Sequence, residues 1–153
     1  MLKEKGNEFK FSLNDKDGKI WSLKDIKFKF IILYFYPRDS TEGCTIEANE
    51  FNNLRKDFDK INCKIIGISG GDEKTKKTFC EENNLKITLL SDPDFAVCKK
   101  YGVYGLKNFM GKEFMGIKRT TFVLDSNKEI IETYENVKAL GHAREVLDFV
   151  RNL

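Results

Sequence analysis

Apolar and polar positions along the chain alternate between short β-rich runs and longer stretches of helical period. EFKFSL and KIWSL flank NDKDGK, whose Asp-Gly pair signals a hairpin, so the chain opens on two antiparallel strands. The DKDG within it brushes against a calcium-loop pattern. It lacks the further oxygen ligands and the closing Glu at their spacing, and it reads as a turn. FIILYFY, from Phe30 to Tyr36, is continuously apolar, as a central strand covered on both faces must be, and Pro37 ends it. From about Cys44 to Lys60, Ala48, Phe51, Leu54 and Phe58 recur on one helical stripe. CKIIGIS predicts a second buried strand. A helix with acids in its first turn runs from about Asp72 to about Asn83. KITLLS is a third strand, and DFAVCKKYG a short helix closed by Gly102.

Val103 to Gly116 has no clear period. Gly105, Gly111 and Gly116 punctuate Phe109, Met110, Phe114 and Met115, so the segment reads as an irregular loop whose apolar residues pack against their own domain in preference to rimming a pocket or partner surface. RTTFVLD and KEIIETY form a closing hairpin around Asp125-Ser126-Asn127. ALGHAREVLDFVRNL is a terminal amphipathic helix with Ala143, Val146, Leu147 and Val150 inward. Strands alternating with helices predict an α/β sandwich, and the closing hairpin makes its sheet mixed. Residues 1–153 form a single domain on this pattern, long enough to bury a proper core.

Composition narrows the partners. Hydrophobic residues at 41% and charged residues at 33% exclude a disordered chain. The 27 basic and 24 acidic residues are interleaved and leave +3, which provides no footprint for nucleic acid or an anionic membrane. No apolar run approaches the ~18 residues that span a bilayer. MLKEKGNEFK lacks the apolar middle of a secretory leader, so the expected compartment is the cytosol, where thiols stay reduced. Cys44, Cys63, Cys80 and Cys98 lie 19, 17 and 18 residues apart, and with one histidine they match no zinc pattern.

The stretch FYPRDSTEGCT carries the candidate chemistry. Cys44 follows the central strand and opens a helix, the place where open α/β sheets build their sites. Lying four residues before Ala48, it belongs to the inward stripe, beside the unpaired N–H groups of a helix start. Those groups and the helix dipole favour a thiolate. A free cysteine, with a pKa of ~8.5, is only a few per cent ionised at neutral pH, and a two-unit change is worth roughly 2.7 kcal/mol. A helix end supplies ~1 kcal/mol, so a fixed cation must provide the rest. Arg119 is the candidate: if RTTFVLD runs antiparallel to FIILYFY, its start lies beside the other's finish. Composition by itself favours a surface arginine there. Thr41 fits a helix N-cap or turn residue as well as it fits a part in the thiol's chemistry. His142, beside Gly141 at the start of the last helix, reads as structural or surface. These residues point to an activated thiol without naming its substrate.

PRDSTEGCT resembles the peroxiredoxin signature P-x3-T-x2-C at Pro37, Thr41 and Cys44. The similarity extends through IILYFYP and through GIKRTTFVLD, where Arg119 falls on the family's active-site arginine. NFMGKEFMGIKR and VKALGHAREVL resemble the bacterioferritin comigratory protein, or Q-type, branch. The resemblance implies a thioredoxin-like fold and reduction of hydrogen peroxide and organic hydroperoxides. Cys44 would become a sulfenic acid, Arg119 would stabilise charge, Thr41 would align the peroxide and Pro37 would shield the sulfur. No metal or organic cofactor is implied, and the expected state is a monomer or weak homodimer. The family usually has proline where Glu42 stands, which puts a carboxylate beside the pocket here.

Many members of the branch carry the resolving cysteine five residues after the first, the position of Asn49. A second arrangement places it in the following helix, and 80 − 44 = 36 residues on is Cys80. Lys76, Lys77, Asn83 and Asn84 surround Cys80 at helical spacing, so it is expected on an exposed polar face. Cys63 and Cys98 read as small buried hydrophobes. A disulfide needs Cα atoms within about 7 Å, so the turn at Cys44 and part of the Cys80 helix are expected to unwind. Thioredoxin or a similar dithiol protein would restore the pair. A one-cysteine peroxidase served by an external thiol stays open, as do a disulfide exchanger, although C-x-x-C is lacking, and a redox-sensing binding module.

Overall fold

The computed structural model describes residues 10–153. In chain order, β1 (Ser12–Asn14) and β2 (Ile20–Ser22) lead through a 3-10 turn at Leu23–Asp25 to β3 (Phe30–Phe35), α1 (Glu42–Asn53) and α2 (Arg55–Lys60). There follow β4 (Cys63–Ser69), α3 (Glu73–Asn83), β5 (Thr88–Ser91) and α4 (Ala96–Lys100). The chain closes with β6 (Tyr104–Phe109), β7 (Lys112–Ile117), β8 (Thr120–Leu124), β9 (Ile130–Tyr134) and α5 (His142–Arg151). The opening strand was expected to begin at residue 8; residues 8 and 9 lie outside those described.

Seven strands form one mixed sheet in the order β2-β1-β5-β4-β3-β8-β9. β3 runs parallel to β4 and antiparallel to β8, with Phe35 opposite Thr120. Alternation along β3 separates the two cores, since successive side chains leave opposite faces. Ile32 and Tyr34 enter a cluster with Phe51, Phe58, Phe79 and Leu147, under α1, α2, α3 and α5. Ile31, Leu33 and Phe35 enter a second one, with Cys98, Tyr101 and Phe122, on the α4 face. Both faces are therefore covered, which is why the run is apolar throughout. No helix among the described residues is long and apolar enough to cross a membrane.

The structure differs from expectation at three points. α1 starts at Glu42 rather than Cys44. It also ends at Asn53 instead of running to Lys60. Leu54 there takes φ −97° and ψ 3°, and its N–H is shared between the carbonyls of Glu50, Phe51 and Asn52. Asn52 locks this break from outside: its Oδ1 accepts the Lys86 N–H at 2.6 Å and its Nδ2 donates to the Asn84 carbonyl. Third, Val103–Gly116 is mostly a two-stranded hairpin, β6 against β7, with Gly105 opposite Gly116. Met110 (φ 53°) and Gly111 (φ 80°) make its two-residue turn, both in the left-handed region that such hairpins require. Alternation was invisible because its tip stands away from the sheet, leaving apolar residues on both of its faces.

Candidate active site

β3 delivers the chain to Pro37 at the carboxyl edge of the sheet, and residues 38–41 turn it into α1. Ser40 sits at φ 65° in that turn. Thr41 occupies the N-cap position, yet its hydroxyl does not cap; it donates to the Arg38 carbonyl at 3.2 Å. The Thr41 carbonyl accepts the N–H of Thr45 at 2.8 Å and its hydroxyl at 2.6 Å. The N–H groups of Glu42, Gly43 and Cys44 precede that first intrahelical bond, so they lie at the positive end of α1. Cys44 is the third helical residue and is 1% exposed, directed inward with Ala48 and Phe51. Glu42 is exposed.

The pairing of β8 with β3 brings Arg119 across the end of β3 to this turn. Its Nη1 donates to Cys44 Sγ at 3.5 Å and to Glu47 Oε1 at 2.8 Å. Burial works against the Arg119 charge, but Cys44 and Glu47 outweigh it and hold the guanidinium above its ordinary pKa. Gly43 makes room for this approach: a Cβ there would lie 3.0 Å from Arg119 Nη2. Glu47 was not anticipated. It is fully buried, and burial pushes its carboxyl up to about 7 although Arg119 pulls the other way. A signal was present: Glu47 adjoins Ala48 and lies three residues past Cys44, on the inward side of the helix. An acid in that position needs a buried cation.

A cleft of about 990 Å³ opens between the 37–41 turn and the β6–β7 hairpin. Pro37 and Thr41 line one wall, and Lys107, Phe109, Phe114 and Met115 the other. Ile117 and Tyr104 at the base of the hairpin pack on the core, but the apolar residues nearer its tip do not: Phe109 is 65% exposed and Met110 88%.

Cys80 is also placed differently from expectation. It is 6% exposed and belongs to the same buried cluster as Cys44, on a separate wound helix. Its helical neighbour Lys76 looked like a solvent residue but is wholly buried and paired to Asp39, which turns this side of α3 inward. Burial pushes the Cys80 thiol up to about 11, with Lys16 and Lys76 opposing. Cys63 and Cys98 are buried as well. Burial takes Cys63 to about 12 and Cys98 well above the usual range, where Asp92 adds to it. His142 is structural: one ring nitrogen lies 2.8 Å from Thr121 Oγ1 and the other 3.1 Å from Glu145, tying α5 to β8. No group of three or more His, Cys, Asp or Glu side chains arranged to hold a metal occurs among the described residues.

A mixed sheet between helices, with a cysteine at the first turn after its central strand and an arginine from the antiparallel neighbour, defines a thioredoxin-like fold of the peroxiredoxin kind. The profile of the AhpC/TSA family matches residues 6–133, and the chain belongs to that family of peroxiredoxins. Within it, the chain falls in the bacterioferritin comigratory protein branch. The putative peroxiredoxin bcp of Helicobacter pylori J99 is 40% identical over 138 residues, covering 90% of this chain and 91% of the relative. The Xanthomonas campestris bacterioferritin comigratory protein, solved as trapped intermediate and ligand complexes bearing on its alkyl peroxide reduction, superposes with a TM-score of 0.92 at 34% identity. That match covers 99% of this chain and 96% of the other. Peroxiredoxin Q of the same organism (TM-score 0.87, 35% identity, 93% and 90% covered) has been solved with serine replacing cysteine at either of two positions 36 residues apart. The protein is a thiol-dependent peroxidase.

Proposed function

We propose that Cys44 is the peroxide-reactive thiol and Cys80 its resolving partner. The observation that carries the first assignment is the Arg119 guanidinium 3.5 Å from Cys44 Sγ, at the N-terminal turn of α1. The thiolate attacks one oxygen of the hydroperoxide; the S–O bond forms as the O–O bond breaks, and the leaving alkoxide or hydroxide takes a proton to become an alcohol or water. Arg119 and the free N–H groups of α1 face the charge that develops on those oxygens. Thr41, whose hydroxyl is not spent on capping, aligns the peroxide, and Pro37 keeps stray water from the sulfur. Hydrogen peroxide needs nothing more. Organic hydroperoxides gain an apolar wall from Phe109, Phe114 and Met115, in keeping with the alkyl peroxide reduction named for the Xanthomonas relative.

Cys80 then closes a disulfide with Cys44, and thioredoxin or a similar dithiol protein reopens it. The interval of 36 residues from Cys44 to Cys80 equals that between the two substituted cysteines of the Xanthomonas protein, which supports the pairing. Both thiols are buried in wound helices, so the turn at Cys44 and part of α3 must unwind first. The burial of Cys80 also favours a second reading, in which the Cys44 turn opens and an external thiol in a reducing compartment such as the cytosol reduces the sulfenic acid directly. Thioredoxin-coupled peroxide turnover tests both readings. Cys44→Ser abolishes activity, while Cys80→Ser forms the sulfenic acid and stalls. Intact mass after one equivalent of peroxide separates them: a disulfide loses about 2 Da and a lasting sulfenic acid gains about 16 Da. Turnover unchanged by Cys80→Ser selects the second reading, and turnover unchanged by Cys44→Ser removes both.

A further inference from the structure

A buried ammonium is costly unless paired, and Lys76 is wholly buried one helical turn before Cys80. Its Nζ donates to Asp39 Oδ2 at 2.8 Å and to the Gly70 carbonyl. Asp39 sits in the turn between Pro37 and Thr41. Its Oδ1 accepts the Tyr36 hydroxyl at 2.6 Å, and its Oδ2 also accepts the Thr75 hydroxyl at 3.0 Å. One carboxylate thus fastens the segment that leads into Cys44 to the first turn of the helix that carries Cys80. Those are the two segments that must part before the sulfurs can meet. The attack on peroxide makes no use of Lys76.

We propose that Lys76 is a positioning residue for disulfide formation: paired with Asp39 it clasps the Cys44 turn to α3, and released from Asp39 it becomes the counter-ion of the Cys80 thiolate. This rests on Cys80 being the resolving cysteine. In the closed state Asp39 neutralises the ammonium, and the Cys80 thiol keeps its proton. The charged groups facing Cys80 are Lys16 and Asp17 from the β1–β2 turn, Asp39 from the active-site turn, and Lys76 from its own helix. Unwinding frees the Cys44 turn and the part of α3 beyond Cys80 and carries Asp39 away. The turn from Lys76 to Cys80 stays wound and keeps Lys76 on the same side of α3 as the sulfur. The Cys80 thiolate then attacks the sulfur of the Cys44 sulfenic acid. The S–S bond forms as the S–O bond breaks, and the departing hydroxide takes up the proton that Cys80 released, leaving as water.

Rapid quench and intact-mass analysis after one equivalent of hydrogen peroxide time sulfenic acid and disulfide separately. Asp39→Asn opens the clasp and keeps the cation, so its disulfide forms several-fold faster than in wild type. Asp39→Asn/Lys76→Met opens the clasp without the cation. It resolves about tenfold more slowly than Asp39→Asn near pH 7.5, and its rate–pH curve is displaced about one unit upward, because Cys80 ionises later without the Lys76 charge, Lys16 being present in both variants. Asp39→Asn/Lys76→Arg restores the rate. The displacement is read equally against wild type, so the test stands even if Asp39→Asn alone does not fold. A double variant with the rate and pH curve of Asp39→Asn overturns the counter-ion, and an Asp39→Asn variant no faster than wild type overturns the clasp. If Cys80→Ser still forms a disulfide, the resolving assignment itself falls; if it stops at sulfenic acid while the Lys76 substitution changes nothing, only the role of Lys76 does.

Discussion

Glu47→Gln measures the electrostatic burden buried beneath the thiol. Glu47 has one oxygen bonded to Arg119 at 2.8 Å and a second, Oε2, with no hydrogen-bond partner among the described residues. Burial raises its pKa from the ordinary 4.5 to about 7, against the pull of Arg119. Between those values the folded protein holds a proton that the unfolded chain has released. The contribution to stability is therefore fully present below pH 4.5 and is lost as pH rises through 7. At 1.36 kcal/mol per unit, the loss is about 3 kcal/mol. Glutamine stays neutral and escapes it. Its amide N–H group at the Oε2 position lacks a partner and costs about 1–3 kcal/mol, equally at every pH. Other titrating groups, His142 included, contribute alike to both proteins and cancel. The unfolding free energy of Glu47→Gln minus that of wild type should therefore climb by about 3 kcal/mol between about pH 4.5 and 8. Urea unfolding followed by circular dichroism under reducing conditions gives both curves. A flat difference, or one that falls with pH, refutes the reasoning and means that Arg119 fully compensates the buried carboxylate.

Arg119→Met removes the cation from both Cys44 and Glu47. Sulfenic acid formation with hydrogen peroxide should slow by about 100-fold or more, and a loss smaller than threefold contradicts the role given to the guanidinium. Gly43→Ala favours the helix by up to about 1 kcal/mol but pushes on Arg119 Nη2, which would stand 3.0 Å from the new methyl. Expected together are an undiminished melting temperature and slower oxidation; an unchanged oxidation rate shows that the guanidinium yields freely. Gly67→Ala drives a Cβ to 2.7 Å from both Tyr34 Cζ and Leu89 Cδ2 in the core and should cost about 1–3 kcal/mol in urea unfolding. Wild-type stability in that variant disproves the tight packing of β4 on its neighbours.

Much of this molecule was legible from local pattern. The runs that became β3, β4, β5 and β8, the inward stripe through Ala48 and Phe51, and α5 with Ala143, Val146, Leu147 and Val150 facing the core are set by hydrogen-bond periods spanning a few residues. The same reach placed Cys44 in the first turn of a helix, and the residues around it resemble a known family closely enough to name the chemistry. Local pattern failed for charged side chains. Glu47 was passed over, Lys76 was taken for a solvent residue and Cys80 for an exposed thiol, because a charge belongs in water unless an opposite charge meets it inside. Glu47 meets Arg119 from 72 residues away, and Lys76 meets Asp39 from 37 away. Only the register of β8 on β3 and the packing of α3 against the active-site turn bring those partners within 3 Å, and no window of sequence contains both members of either pair.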